Sequence, residues 1–302
     1  MIFRVVRLSL SLLALLLAVG CHSRAQNEHP ATGDLQWVYS WVYQLQNVEP
    51  PVVANSGFDL AVIDYSFDGT AAGEWTLYDV GLLQNNGQIV LSYLSIGEAE
   101  DYRFYWQSDW LAHPPSWLGP VNPDWPGNYK VRYWMSGWQD ILYDYLDRIL
   151  GEGFDGVYLD LIDAYYYWSV ENPENPHAAQ DMMDLAAALA EYVRQTHPGF
   201  YVFPQNAVEL TDDADYLAVL DGVGKEDTWY DGDQPADADQ RAFDLPFMDH
   251  VAAAGKLVLC VDYCREPAHV ADFYAKARAR GFVPYSTVRD LDQLTINVGL
   301  DP

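Results

Sequence analysis

Short apolar runs alternate with longer amphipathic segments along most of the chain. Each run is three to six residues long, and most are rich in Val, Ile, Leu or Tyr, which is typical of strands buried in a parallel sheet. The eight runs cover residues 36–39, 60–63, 89–94, 157–159, 201–203, 222–224, 257–261 and 283–285. We therefore predict eight strands separated by helices.

The segments between the runs show helical periodicity, as in 138–150, 178–196 and 267–280. Glycine precedes several returns to strand, for example at Gly153 and Gly281, as expected just past a helix end. Eight such units in about 265 residues fit a closed barrel better than an open doubly wound sheet. The predicted fold class is α/β, a single (β/α)8 TIM barrel with a long irregular loop, 109–130, after the third strand.

The first twenty residues have the pattern of an export signal. Arg4 and Arg7 precede an apolar stretch of twelve residues, 8–19, which is too short to span a bilayer. The stretch ends in Leu17-Ala-Val-Gly-Cys21, which resembles the lipobox of bacterial lipoproteins, although an ordinary signal peptide stays open. We predict a signal peptide at 1–20, a polar tether at 21–34 and a catalytic domain at 35–302. The expected location is extracytoplasmic, with a lipid anchor at Cys21 in the cell envelope, and secretion is the second choice.

The charge of the chain is strongly acidic, with 16 basic and 44 acidic residues and a formal net charge of −28. Such a field repels nucleic acid and anionic glycans and attracts cationic ligands, so we expect no nucleic-acid partner. General solubility also explains the charge. The 11 Trp and 22 Tyr indicate aromatic clefts, an aromatic-rich core, or both.

Candidate chemistry gathers after the predicted strands, where the active sites of such barrels lie. Acidic residues follow strands two, three, four, six and seven, and none of the seven histidines falls at a strand end. Zinc catalysis is therefore disfavoured, although an all-carboxylate magnesium or calcium site stays open. No Gly-x-Ser-x-Gly occurs, so acid–base work is expected to rest on carboxylates, without a cofactor or metal.

Asp160 and Glu226 are the best candidate pair. Tyr158 and Asp160 share one face of the fourth strand, and Glu226 follows the sixth. Strands four and six are next-but-one neighbours, so inward side chains could bring the carboxyls to about 5–6 Å, a separation typical of retaining glycosidases. The aromatic run 165–168 is a candidate stacking wall, although part of it could pack under the loop instead.

Five motifs together resemble glycoside hydrolase family 114, whose members are endo-α-1,4-polygalactosaminidase-like (β/α)8 barrels. They are Ser92-Tyr-Leu-Ser-Ile-Gly-Glu-Ala-Glu-Asp-Tyr-Arg103, Phe154-Asp-Gly-Val-Tyr-Leu-Asp160, Gln205-Asn206, Gly224-Lys-Glu226 and Val261-Asp-Tyr263. The resemblance implies endo-cleavage of α-1,4-linked galactosamine-rich polysaccharide, with Asp160 as nucleophile and Glu226 as acid/base. It also implies sugar subsites lined by Asp64, Glu98, Glu100, Asp101 and Asp262. Further expected substrate contacts are Tyr93, Asp163, Tyr165, Gln205, Asn206, Glu209 and Tyr263.

Three alternatives to this function remain open from the sequence. One is a lipid-anchored glycan-binding protein without catalysis, and another is a hydrolase of a different amino-sugar glycan. The third is an accessory lipoprotein that binds a polysaccharide-export partner through the loop 109–130. A disulfide between Cys260 and Cys264 requires the chain to bend after Asp262, because an extended strand would hold the two residues too far apart. The disulfide and two free thiols are both left open.

Overall fold

The computed structural model describes residues 35–302, so the signal peptide, the tether and the lipidation site at Cys21 lie outside the described residues. Eight barrel strands alternate with seven helices. The strands are β1 Trp41–Tyr43, β2 Leu60–Asp64, β3 Ile89–Ser95, β4 Gly156–Asp160, β5 Tyr201–Pro204, β6 Gly222–Glu226, β7 Leu257–Asp262 and β8 Val283–Ser286. The helices are α1 Pro50–Ala54, α2 Leu77–Gln84, α3 Ser136–Glu152, α4 Ala178–Arg194, α5 Ala214–Val219, α6 Ala238–Ala253 and α7 Pro267–Arg278.

The barrel strands that pair within each sheet are parallel and follow chain order. Strands β1 to β5 form one sheet and β6 to β8 another. The sheets join at a parallel bridge between Gln205 and Gly224, where the Asn206 N–H donates to the Gly224 carbonyl at 2.8 Å. On the other side, Trp41 Nε1 donates to the Val283 carbonyl at 3.0 Å. The predicted (β/α)8 barrel is confirmed.

The first predicted strand is wrong by about five residues, because β1 covers Trp41–Tyr43 rather than 36–39. Residues 36 and 37 form a turn that is closed by the Val38 N–H, which donates to the Leu35 carbonyl at 3.0 Å. The next two N–H groups, of Tyr39 and Ser40, donate to the Asp59 carboxylate. This local hydrogen bonding replaces strand pairing. The other seven strands contain their predicted ranges and extend them by one or two residues.

Large rings fill the inside of the barrel. Tyr158 lies with its ring centroid 5.3 Å from that of Tyr43 and 6.1 Å from that of Trp41. Its hydroxyl also occupies the space over Gly224, where an added Cβ would lie 1.8 Å from the Tyr158 oxygen. Glycine is therefore required at this position. The contact brings β4 close to β6, directly beneath the ends of both strands.

The long loop after β3 is more ordered than the sequence indicated. It carries an antiparallel sheet of three short strands, Glu98–Glu100, Leu118–Val121 and Asn128–Val131, beside the barrel mouth. After β4, a short helix at Ala164–Tyr166 continues into a π-helix at Tyr167–Glu171. The loop between β6 and α6 contains a small hairpin, Tyr230–Asp231 paired with Gln234–Pro235.

Cys260 and Cys264 are both buried free thiols, which decides the disulfide question. The Cys264 Sγ lies 3.4 Å from the Ser286 hydroxyl and not against the other sulfur. In the part of the chain that the structure describes, no helix is both long and apolar enough to cross a membrane.

Candidate active site

Asp160 is the last residue of β4 and lines a cleft at the C-terminal mouth of the barrel. Its Oδ2 accepts a hydrogen bond from the Tyr93 hydroxyl at 2.8 Å, and its Oδ1 accepts one from the Leu161 N–H at 2.7 Å. Leu161 adopts a left-handed conformation, with φ of 61°. Gly97 leaves room for this turn, since a Cβ there would lie 2.3 Å from the Leu161 carbonyl oxygen. The carboxylate is thus held in one orientation.

Glu226 ends β6 and is held in a matching way. Its Oε1 accepts from Asn206 Nδ2 at 2.9 Å, and its Oε2 accepts from the Tyr263 hydroxyl at 2.8 Å. Asn206 and Asp227 have φ values of 64° and 52°. Left-handed residues other than glycine are strained and often cluster at functional sites. Strained turns therefore follow both carboxylates of the pair.

Three carboxyl groups, Asp160, Asp163 and Glu226, form what we call the carboxylate cluster. Loss of solvation, followed by the charges of Glu226 and Asp163, raises the pKa of Asp160 to about 8. Loss of solvation inside the cleft and the Glu226 charge likewise raise the pKa of Asp163 to about 6, against the opposing effect of Lys225. At neutral pH the cluster therefore holds a proton that isolated carboxylates would have lost.

The cleft has two adjoining chambers. The main chamber, of about 840 Å³, contains Asp160 and extends over Asp64, Glu100 and Arg103. The side chamber, of about 710 Å³, extends instead over Tyr165 and Glu209. Five residues line both chambers: Glu98, Leu161, Asp163, Asn206 and Glu226. Glu226 therefore stands at the boundary, and Asp160 lines the main chamber only.

A buried ion network forms one wall of the main chamber. The Arg103 guanidinium donates to both oxygens of Asp64 at 2.8 Å and to Glu100 Oε2 at 2.6 Å. The Tyr102 hydroxyl donates to the other oxygen of Glu100 at 2.5 Å. Burial raises the pKa of Asp64 in spite of the opposing Arg103 charge. The network therefore holds Asp64 and Glu100, two of the carboxylates that were predicted to line sugar subsites. Arg103, which pairs with both, was given no role from the sequence.

Glu98 and Glu209 are also held by named partners. Glu98 accepts from Asn122 Nδ2 at 2.9 Å and lies 3.4 Å from Lys130 Nζ. Glu209 accepts a hydrogen bond from the Tyr165 hydroxyl. Of the predicted substrate contacts, those that line one or both chambers are Asp64, Tyr93, Glu98, Glu100, Asp163, Tyr165, Gln205, Asn206, Glu209 and Tyr263.

Asp262 does not line either chamber, which corrects its prediction as a subsite residue. Its carboxylate is fully buried and accepts hydrogen bonds from the N–H groups of Thr228, Trp229 and Tyr230 at 2.8 to 2.9 Å. It therefore anchors the loop after β6. Asp101 is also outside the chambers, with an exposed side chain beside Gly127 in the loop after β3.

The aromatic run after β4 serves two purposes. Trp168 is fully buried against Trp134, so it belongs to the core. Tyr165, Tyr166 and Tyr167 line the side chamber. The three tyrosines are therefore the remaining candidates for the predicted stacking wall.

Trp125 and Arg289 are among the cleft residues that were not predicted as contacts from the sequence. Trp125 is 56% exposed and stands on the rim of the main chamber. Arg289 lies 4.2 Å from the centroid of the Tyr263 ring and pairs with Asp227 at 2.7 Å. The only feature of the sequence that pointed to Trp125 as a contact was its position in the Pro-rich loop 109–130. Within residues 35–302, no group of three or more His, Cys, Asp or Glu side chains has an arrangement that could hold a metal ion.

Comparisons with known proteins show the family and the fold of this chain. The model of glycoside hydrolase family GH114 matches residues 22–299. An uncharacterised protein of Thermotoga maritima is 36% identical over 275 residues, which is 87% of this chain and 85% of that protein. An uncharacterised protein of Methanocaldococcus jannaschii is 39% identical over 269 residues, covering 85% of this chain and 78% of that one.

Two solved structures share the fold at low sequence identity. The glycoside hydrolase domain of PelA from Pseudomonas aeruginosa superposes with a TM-score of 0.66 at 19% identity, covering 85% of this chain and 98% of that domain. Aspergillus fumigatus Ega3, in complex with galactosamine, gives 0.65 at 17% identity, covering 84% and 93%. The match of the family model over nearly the whole described barrel, with a carboxylate pair at the strand ends, shows that the chain belongs to glycoside hydrolase family 114.

Proposed function

We propose that this glycoside hydrolase cleaves α-1,4-linked galactosamine-rich polysaccharide within the chain, by a retaining two-carboxylate mechanism. The observation that carries the proposal is the pair Asp160 and Glu226 at the ends of β4 and β6, within one cleft. The cleft continues on both sides of Glu226, which suits a polymer that passes through the site. The neighbour Ega3 was crystallised with galactosamine, which supports an amino-sugar substrate.

In this mechanism Asp160 attacks the anomeric carbon of the sugar in the main chamber. Glu226 gives its proton to the glycosidic oxygen, so the C–O bond breaks as the bond to Asp160 forms. Glu226, now ionised, takes a proton from water, and that water displaces Asp160 from the sugar. The cycle requires one proton for the pair, located on Glu226 when Asp160 attacks. Loss of solvation, followed by the Glu226 charge, raises the pKa of Asp160, so the two carboxyl groups compete for this proton.

The charge of the cleft favours a cationic substrate. Four cationic side chains line the two chambers among residues 35–302, and each one pairs with a carboxylate: Arg103, Lys130, Lys225 and Arg289. Twelve acidic side chains line the same chambers, so the walls retain an excess of negative charge. Protonated amines on a deacetylated polymer would be attracted by this field.

Digests of galactosaminan with Asp160→Asn and Glu226→Gln test the proposal. Each variant should lose at least about a thousandfold in turnover while its unfolding transition stays near that of the wild type. Proton NMR of the first product should show the α anomer. Full turnover in both variants would refute the assigned roles, and a β anomer would refute retention. A wild-type protein that binds but never cleaves acetylated or deacetylated polymer would favour the glycan-binding alternative. Cleavage of a different amino-sugar glycan, and not of galactosaminan, would favour the alternative of a different substrate.

The same proposal includes export and a lipid anchor at Cys21, in the extracytoplasmic cell envelope. Its support is the Leu17-Ala-Val-Gly-Cys21 sequence, which resembles a lipobox. Metabolic labelling with a radioactive fatty acid should mark the wild type and not Cys21→Ala. Equal labelling of both proteins would contradict lipidation at this residue.

A further inference from the structure

The two chambers differ in which members of the carboxylate cluster they contain. Asp160 lines the main chamber only, whereas Asp163 and Glu226 line both. A nucleophile bonds to the sugar on the non-reducing side of the cleaved linkage, and a general acid protonates the oxygen shared by the two sugars. If Asp160 and Glu226 have these roles, the direction of the polymer in the cleft is determined.

We infer that the side chamber binds the leaving part of the polymer, and that Asp163 recognises an ammonium group on the sugar next to the cleaved bond. This inference rests on the proposed function and adds the direction of binding and a residue that sets specificity. The covalently bound sugar must occupy the main chamber, because only there is Asp160 in reach. The sugar beyond the shared oxygen then enters the side chamber, past Glu226.

Asp163 is placed to contact that sugar. Its side chain is exposed to both chambers, and among residues 35–302 no cationic group lies within ion-pair distance of it. Lys225, the cation that acts on its charge, is itself paired with Asp244 at 3.4 Å. An ammonium group of the substrate would be the direct partner that this carboxylate lacks.

The rest of the side chamber suits the continuation of an amino-sugar chain. Tyr166 and Phe243 are 51% and 50% exposed, so they offer ring faces on which sugars can stack. Glu209 supplies a further carboxylate there, next to Tyr165. In the main chamber, by contrast, Asp64 and Glu100 are both ion-paired with Arg103. Recognition of amines is therefore expected to be stronger on the leaving side.

The test uses partly N-acetylated galactosaminan whose original reducing ends have been reduced with borohydride. After digestion, borodeuteride marks the new reducing ends, which come from the main chamber, and leaves the new non-reducing ends unmarked. Mass spectrometry then reads whether each of the two sugars carries an amine or an acetamide. Because both preferences come from one digest, they do not depend on the overall rate of a variant.

The wild type should prefer a free amine at the new non-reducing end. Asp163→Asn should lower that preference about fivefold and leave the preference at the marked end unchanged. Glu209→Gln should weaken amine recognition among the leaving sugars only. Asp109→Asn, an exposed loop carboxylate outside the cleft, is the matched control and should behave as the wild type.

An unchanged amine preference in Asp163→Asn would overturn the inference, and the proposed function would stand because the polymer is still cleaved. A change confined to the marked end would also overturn it, since the direction of binding would be reversed. A wild type that cleaves no galactosaminan would instead refute the proposed function, and this inference with it. Unfolding curves of each variant ensure that a misfolded protein is not scored.

Discussion

Glu152, the last residue of α3, is a buried carboxyl that should make the protein less stable as the pH rises. Its side chain is 6% exposed, and neither carboxyl oxygen has a hydrogen-bond partner. Loss of solvation, followed by the charges of Glu74 and Asp64, raises its pKa to about 9, against the opposing effect of Arg148. The folded protein therefore holds a proton on Glu152 at neutral pH, and the unfolded chain releases it.

The sign and the size of the effect follow from proton linkage. A carboxyl with a raised folded pKa contributes no penalty below its unfolded pKa of 4.5, and its penalty grows as the pH rises towards the folded pKa of about 9. The cost is about 3 kcal/mol at pH 7 and about 6 kcal/mol above pH 9. Glu152→Gln removes the ionisable group with little change in shape. It should raise the free energy of unfolding by up to about 3 kcal/mol at pH 7.

Urea unfolding followed by tryptophan fluorescence at pH 5, 7 and 9 checks this prediction. The stability difference between Glu152→Gln and the wild type should be small at pH 5 and should increase at each step. Glu191→Gln, on the exposed face of α4, is the matched control and should show no such trend. A constant difference across the three pH values would refute the reasoning, because a carboxyl that stays ionised in the folded state gives no linkage in this range.

Three further outcomes are expected. Turnover should fall as the pH rises through about 8, because the carboxylate cluster then loses the proton that the leaving oxygen needs; the pKa of Asp160 in this cluster is raised. A rate profile that is flat to pH 10 would contradict this. Gly224→Ala should destabilise the barrel by about 3 kcal/mol because its Cβ meets Tyr158, whereas Gly151→Ala, with open space around it, should not; equal unfolding curves would argue against the contact. Asp262→Asn should lower stability by about 2 kcal/mol without the loss of turnover expected of a substrate contact, measured by unfolding and by galactosaminan digestion.

Most of the barrel could be predicted from the sequence because its strands are continuous apolar runs between helices. The exception is β1, which shows that apolar runs alone do not locate a strand where a tertiary contact competes. The residues Trp37, Val38 and Tyr39 look as strand-like as Trp41, Val42 and Tyr43. The carboxylate of Asp59, twenty residues away, binds the N–H groups of Tyr39 and Ser40 and so ends the turn there. A tertiary contact of this kind leaves no trace in local periodicity.

The candidate site was predicted from strand ends, and the position of a residue at a strand end does not fix its direction. Asp160, Glu226 and Asp262 are each the last residue of a barrel strand. In the parallel register, Glu226 lies opposite Val261, and paired residues point to the same face. Asp262 is therefore one residue out of phase with Glu226 and faces away from the mouth, whereas Tyr263 faces into it.

A shift of one residue reverses the face of every side chain in a strand, so register decides between a substrate contact and a structural anchor. Local patterns in the sequence do not reveal the register of one strand against the next. It follows from the packing of the barrel interior, where Tyr158 fits over Gly224 and so fixes β6 relative to β4. The same contact lies two residues below both carboxylates of the pair. The packing that sets the register of these strands therefore also sets the spacing of the two groups on which catalysis is proposed to depend.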